Sequence, residues 1–163
     1  MSTVYPFRYE GDGVFRCLRP KAITLDVGTV HGWQMAEHRS PETHKHYFAI
    51  IKDAWANLPE AIAGEFPSPE HLRKWALVKA GYADITKMTM PTNADAVNAA
   101  GLMTKMDHFA VVEISGRVVT VGRAHSQNTR AMGKQAFAES KEAVFNIISA
   151  LIGADVTAME QAA

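Results

Sequence analysis

The chain has one cysteine, equal numbers of acidic and basic residues, and no long apolar run, and each shortage removes a class of explanation. Cys17 has no partner for an internal disulfide. Set in a β-prone run without a neighbouring basic motif, it reads as a small apolar core residue rather than a nucleophile. Lysine plus arginine equals aspartate plus glutamate at 17 each, so no global field draws the protein to nucleic acid or an anionic membrane, and such binding has to come from a local patch. The longest apolar runs fall far below the roughly 18 residues that a membrane helix requires. The opening MSTVYPFRYEGDG lacks the charged-then-apolar pattern of a secretion signal. A soluble protein of a reducing, cytoplasmic compartment is expected. Also missing are a phosphate-binding glycine loop with its lysine, a dinucleotide fingerprint after a strand, a glycine-flanked serine elbow and a paired acidic motif. No catalytic residue and no cofactor is expected.

What is present suffices for a core. A length of 163 residues with 47% hydrophobic content predicts a single α+β domain over residues 1–153, followed by a loosely held tail over 154–163. VYPFRYEGDGVFRCLRP has two short β-prone runs around Glu10-Gly11-Asp12-Gly13, a hairpin pattern. AITLDV and GTVHGWQMAEH suggest further strands, the second weakened by Gly32. Ser40 and Pro41 then start a helix whose stripe is His44, Tyr47, Phe48, Ile51, Trp55 and Leu58, and Pro59 stops it. Ser68 and Pro69 start a second helix, with Leu72, Trp75, Ala76 and Lys79 on one side and Gly81 at its end. YADITKMTM reads as a strand, and PTNADAVNAAGLMTKM as either a short alanine-rich helix or a loop. FAVVEISGRVVTVGRAH is a hairpin about Ser115-Gly116. The last helix has Phe137, Lys141, Val144, Phe145, Ile148 and Leu151 or Ile152 on its apolar side and ends at Gly153. The expected architecture is an antiparallel sheet built from hairpins and packed with three or four helices.

Two groups of polar residues invite a chemical reading. His31, His38, His44 and His46 fall close together, but helical neighbours two apart point in nearly opposite directions, so His44 is expected half-buried, His46 solvent-facing, and no metal bound. The stretch VGRAHSQNTRAMGKQAF leaves a strand and enters the last helix carrying Arg123, Ser126, Gln127, Arg130 and Lys134. Guanidinium groups, amides, hydroxyls and a helix N-terminus are the groups that grip phosphates. The same stretch also reads as an ordinary solvated connection with Asn128 or Thr129 near a cap, and the absence of net charge favours that plainer reading. Arg8, Arg16, Arg19 and Lys21 form a second cationic cluster about the first hairpin.

GTVHGWQMAEHRSPETHKHYFAIIKDAW, HLRKWALVKAGYAD and VVTVGRAHSQNTRAMGKQAFAESKEAVFNII together resemble an uncharacterised family of small phage and prophage proteins. The resemblance covers about two thirds of the chain and rests on core and capping positions, among them His44 to Ile51, Trp75 and Gly81-Tyr82. The final strand, polar loop and helix are also similar to the corresponding part of the NinB, or Orf, recombination proteins of lambda-like phages. Those proteins bind single-stranded DNA, act with the host single-strand-binding protein and form dimers. On that resemblance Arg123, Ser126, Arg130 and Lys134 match the polar loop, and a homodimer is implied. The resulting expectation is a non-enzymatic phage accessory protein of recombination or replication that binds single-stranded DNA or a DNA-bound host protein. Arg123, Arg130 and Lys134 would meet phosphates, Ser126 and Gln127 would donate hydrogen bonds, and Tyr5 or Phe7 would stack on bases. A protein-binding inhibitor of a host defence or replication complex and a histidine-metal nuclease are the rival readings.

Overall fold

The computed structural model describes residues 6–20, 23–24, 28–30, 32, 41–128, 131–154 and 156. Most of the strand expected over GTVHGWQMAEH, most of AITLDV, the Ser40 cap, His31, His38, Tyr5, Thr129, Arg130 and nearly all of the tail lie outside the described residues. The fold is α+β: among the described residues there are five helices and two antiparallel sheets, of two and three strands. No described helix is long and apolar enough to cross a membrane. The chain divides into two compact units, Met1–His38 and Arg39–Ala163, each described by itself.

The first unit holds the expected hairpin, β1 (Phe7–Gly11) paired with β2 (Val14–Cys17). Its turn needs positive φ at Gly11, Asp12 and Gly13, which two glycines and a short polar side chain tolerate.

The second unit begins with α1 (Pro41–Ala56), the one-turn α2 (Glu60–Ala63) and α3 (Pro69–Lys79). Ser68 caps α3 as expected, its Oγ accepting from the backbone N–H of His71. The buried sides differ from the sequence pattern. On α1 the fully enclosed residues are Tyr47, Ile50, Ile51 and Ala54, while Phe48, Trp55 and Leu58 are half-buried around them. On α3 the buried residues are Leu72, Arg73, Ala76 and Leu77, not the expected Trp75 and Lys79. The stripe turns because Arg73 has partners inside, while Lys79 faces out to Glu113.

β3 (Ala83–Thr89) follows, then α4 (Asn93–Met106), capped by Thr92 accepting from the backbone N–H of Asp95, which settles the ambiguous alanine-rich stretch as helix. β4 (Val111–Ser115) and β5 (Val118–Ala124) form the second hairpin, and β3 pairs antiparallel with the far side of β5, giving the order β3-β5-β4. Ala96 and Ala100 let α4 approach Val119 and Val121 closely. On the opposite face the bare Gly122 admits α3: a Cβ there would lie 2.5 Å from Cγ1 of Val78. The sheet therefore lies between α4 on one face and α3 on the other, and α3 packs in turn on α1 and on α5 (Lys134–Ile152). Phe137, Ser140, Val144, Phe145 and Ile148 are the buried side of α5, and Gly153 ends it with φ 67°. Ser140 takes the place in the stripe that the periodicity gave to Lys141. Val156, within the stretch expected to be loosely held, is fully buried and its backbone N–H donates to Ser149 Oγ.

Candidate functional site

The connection from β5 to α5 is where the sequence concentrates polar groups, and one residue fixes how they are displayed. Gln127 is only 4% exposed. Its carbonyl oxygen accepts from the Tyr47 hydroxyl at 3.1 Å and from Nη1 of Arg73, and its amide nitrogen donates to Ser140 Oγ at 2.8 Å. Ser140 in turn hydrogen-bonds the carbonyl of Phe137 at 2.9 Å. The connection is thereby tied to α1, α3 and α5 at a single point.

Arg73 is the charged centre of this arrangement. Its Nε and Nη2 donate to the two oxygens of Glu70, one turn earlier on α3, at 2.8 and 2.6 Å. Its guanidinium also lies 5.3 Å from the Phe48 ring centroid. Burial works against the charge of both members of the pair. The hydrogen bonds and opposite charge of Glu70 outweigh it for Arg73 and hold the guanidinium above its usual pKa. Arg73, helped by Lys74, likewise holds the Glu70 carboxyl below the usual range. Burial pushes the Tyr47 hydroxyl up to about 12 despite the hydrogen bonds that oppose it, so the phenol is neutral. Among the described residues no enclosed side-chain nitrogen or oxygen lacks a partner. A satisfied interior network of this kind holds the backbone in one place.

Above the network lies an open cleft of about 320 Å³, lined by residues that include Glu70, Arg73, Lys74, His125, Ser126 and Asn128. Its rim carries charge of both signs and is partly aromatic. Lys74 Nζ sits 4.0 Å above the Phe109 ring and 3.8 Å from Glu70, and His125 Nε2 lies 3.2 Å from Asp84. The cleft offers hydrogen bonds and charge. No hydrogen bond joins Ser126 to His125 among the described residues, so the contact that activates a nucleophile is not made.

The sequence-predicted site residues are distributed as follows. Arg123, on β5, is exposed and reaches Asp107 at 3.3 Å. Ser126 is exposed, its Oγ accepting from the backbone N–H of Asn128. Lys134 is exposed and is the first residue of α5, where Gly133 occupies the cap and, among the described residues, no side chain caps the turn. Gln127 was expected to face a ligand and instead faces inward, because a buried arginine, phenol and serine occupy its amide. Arg130 and Tyr5 lie outside the described residues, and Phe7 belongs to the other unit, half-buried opposite Cys17. His44 is half-buried against the rings of Phe48 and Phe137, and His46 is half-buried rather than solvent-facing. Among the described residues no group of three or more histidine, cysteine, aspartate or glutamate side chains is placed to hold a metal ion.

Sequence reasoning missed Arg73, Glu70 and Tyr47. The three-residue spacing of Glu70 and Arg73 on one helix was the available signal for an internal ion pair. No protein-family model, curated protein or solved structure matches the chain.

Proposed function

We propose that the protein binds single-stranded DNA through the connection between β5 and α5, as a non-catalytic accessory of phage recombination or replication. The observation that carries this reading is the burial of Gln127 between exposed neighbours. A connection pinned from within presents Arg123, Ser126 and Lys134 outward without the ordering cost that a free loop would bear on binding. Lys134 adds its charge to the first turn of α5, the positive end of the helix dipole, which favours an anion. The Arg123–Asp107 pair joins an exposed arginine to a half-buried aspartate and is open to solvent, so it is weak and a phosphate can replace the carboxylate. Lys74 adds a further cation and His125 a ring that can hydrogen-bond along the cleft. The similarity of this segment to the NinB proteins supplies the recombination setting, and Arg130 completes the set of cations taken from it.

The test is the salt dependence of binding to an unstructured oligonucleotide, for the natural protein and for Arg123→Ala/Lys134→Ala. Loss of two phosphate contacts flattens the slope of log affinity against log salt by about 1.4, from roughly 0.7 for each contact. The melting temperature should stay nearly constant, since exposed cations contribute little to folding. An unchanged slope would remove this connection as the DNA site.

A further inference from the structure

The two edges of the three-stranded sheet differ in how they are guarded. β4 has five residues and α4 packs along it. β3 has seven, pairs with β5 in an unbroken register without proline, and leaves Asp84, Ile85, Thr86, Lys87 and Thr89 exposed, Ile85 by 51%. The direction of its unused backbone groups follows from the two hydrogen bonds that extend this ladder at either end. The N–H of His125 donates to the carbonyl of Tyr82 at 2.9 Å, and that of Met90 to the carbonyl of Arg117 at 2.8 Å. In an antiparallel ladder every second residue bonds the same neighbour, so Asp84, Thr86 and Met88 direct their N–H and C=O groups to β5, and those of Ala83, Ile85, Lys87 and Thr89 point outward. Among the described residues no hydrogen bond reaches these outward groups. A regular, exposed edge of this kind is a template for another strand.

We propose that a second copy of this chain docks here, β3 pairing antiparallel with the partner's β3 across a two-fold axis at Thr86 to make one continuous sheet. The strand's own chemistry selects both occupant and register. Centred on Thr86, Ile85 exchanges both of its backbone bonds with the partner's Lys87, and Ala83 with the partner's Thr89, so every outward group is used. Thr86 then faces the partner's Thr86, a favourable cross-strand pair, while Asp84 faces the partner's Met88 and the Lys87 stem covers the partner's Ile85. No like charges stand opposite. A shift of one pair in either direction leaves Ala83 or Thr89 unused, and one of the two sets Lys87 against the partner's Lys87. A foreign strand would satisfy the backbone equally, but this match of side chains is a property of β3 with itself. Pairing β3 with the partner's β4 would leave a free β3 edge for further copies, whereas the two-fold arrangement uses the same edge of both chains and closes. The proposal stands apart from the reading of the β5–α5 connection.

The experiment uses the full chain. Sedimentation and native mass spectrometry of the natural protein should show two copies in association, and Lys87→Pro should weaken that association by at least about tenfold, because each copy loses a backbone bond across the axis. The fold should survive, since a proline on an edge strand with its nitrogen turned to solvent removes no bond to β5. A second test leaves the backbone of β3 intact in case this variant unfolds. In a Cys17→Ser background, Thr86→Cys places two thiols opposite one another with Cα atoms about 4.5 Å apart, within disulfide reach, whereas Thr89→Cys places them about 20 Å apart. Mild oxidation should link the first variant as a dimer and leave the second as separate chains. A natural protein that stays monomeric throughout a concentration series, or is recovered as a single copy carrying a foreign peptide, would overturn the proposal. So would a dimer of undiminished affinity in folded Lys87→Pro, or one that links through Thr89→Cys as readily as through Thr86→Cys.

Discussion

Replacing Gln127 by methionine removes the hydrogen bonds at the centre of the second unit while keeping nearly the same volume. Three bonds among the described residues disappear, with Tyr47, Arg73 and Ser140. Their losses are unequal. Ser140 keeps the Phe137 carbonyl at 2.9 Å and Met132 Sδ at 3.4 Å, so its share is about 1 kcal/mol. The Tyr47 hydroxyl, in a fully buried residue, gives up its acceptor for about another 1 kcal/mol. Arg73 retains Glu70 but has Nη1 left facing a thioether, and a bond to a charged donor contributes about 2 kcal/mol. The sum is about 4 kcal/mol, of which the added apolar burial of methionine returns about 1. Urea unfolding followed by far-UV circular dichroism should therefore show a loss of about 3 kcal/mol, a large fraction of the stability of a domain this size. Gln135→Met on the exposed side of α5, where the amide donates to Glu139, should stay within about 0.5 kcal/mol. A loss below about 1 kcal/mol for Gln127→Met would mean that the connection is held by something other than its glutamine, and the argument for fixed display would fail.

Gly122→Ala places a methyl 2.5 Å from the stiff Val78 side chain and should destabilise by about 1 to 3 kcal/mol in the same assay, with no effect if α3 does not press on the sheet there. Tyr47 titrates near 12 in the folded state and near 10 when unfolded, so the folded state holds the proton more tightly. Its contribution is complete below pH 10 and is lost as pH rises to about 12, and Tyr47→Phe should flatten that alkaline limb of the stability profile. Glu70 has the opposite sign: its lowered pKa gives stability above the unfolded carboxylate range that disappears as pH falls through the folded value. Glu70→Gln should remove part of the acid limb while leaving the alkaline limb intact, and an unaltered acid limb would show that the Arg73 pair does not contribute.

Local signals in the sequence were enough for the elements that local chemistry decides. Ser68 and Pro69 announce α3, Gly153 terminates α5 with a left-handed residue, and the two valine-rich runs pair as β4 and β5. The interior was harder to read because its decisive contacts are long-range. Arg73 reads as surface by composition and is drawn inside by Glu70 three residues away and Gln127 fifty-four residues away, and only the first of these leaves a trace in spacing. Once Arg73 turns inward, Trp75 moves to the flank, where its ring packs on Phe66 with centroids 5.3 Å apart. The alanine-rich stretch resisted assignment for a related reason: α4 meets the sheet through Ala96 and Ala100, and small residues give a weak apolar period. Within the candidate site, the exposed Arg123, Ser126 and Lys134 follow from polarity alone. Gln127 does not, since an amide in a polar run gives no sign that its partners are buried.

The central claim is that a neutral protein uses a locally cationic, internally anchored connection to hold single-stranded DNA. The most direct measurement is fluorescence anisotropy of a labelled, unstructured oligonucleotide titrated with the natural protein at several salt concentrations. Saturable binding is predicted, with log affinity falling linearly against log salt at roughly 0.7 for each phosphate contacted. No binding at the lowest salt, or an affinity indifferent to salt, would contradict the account.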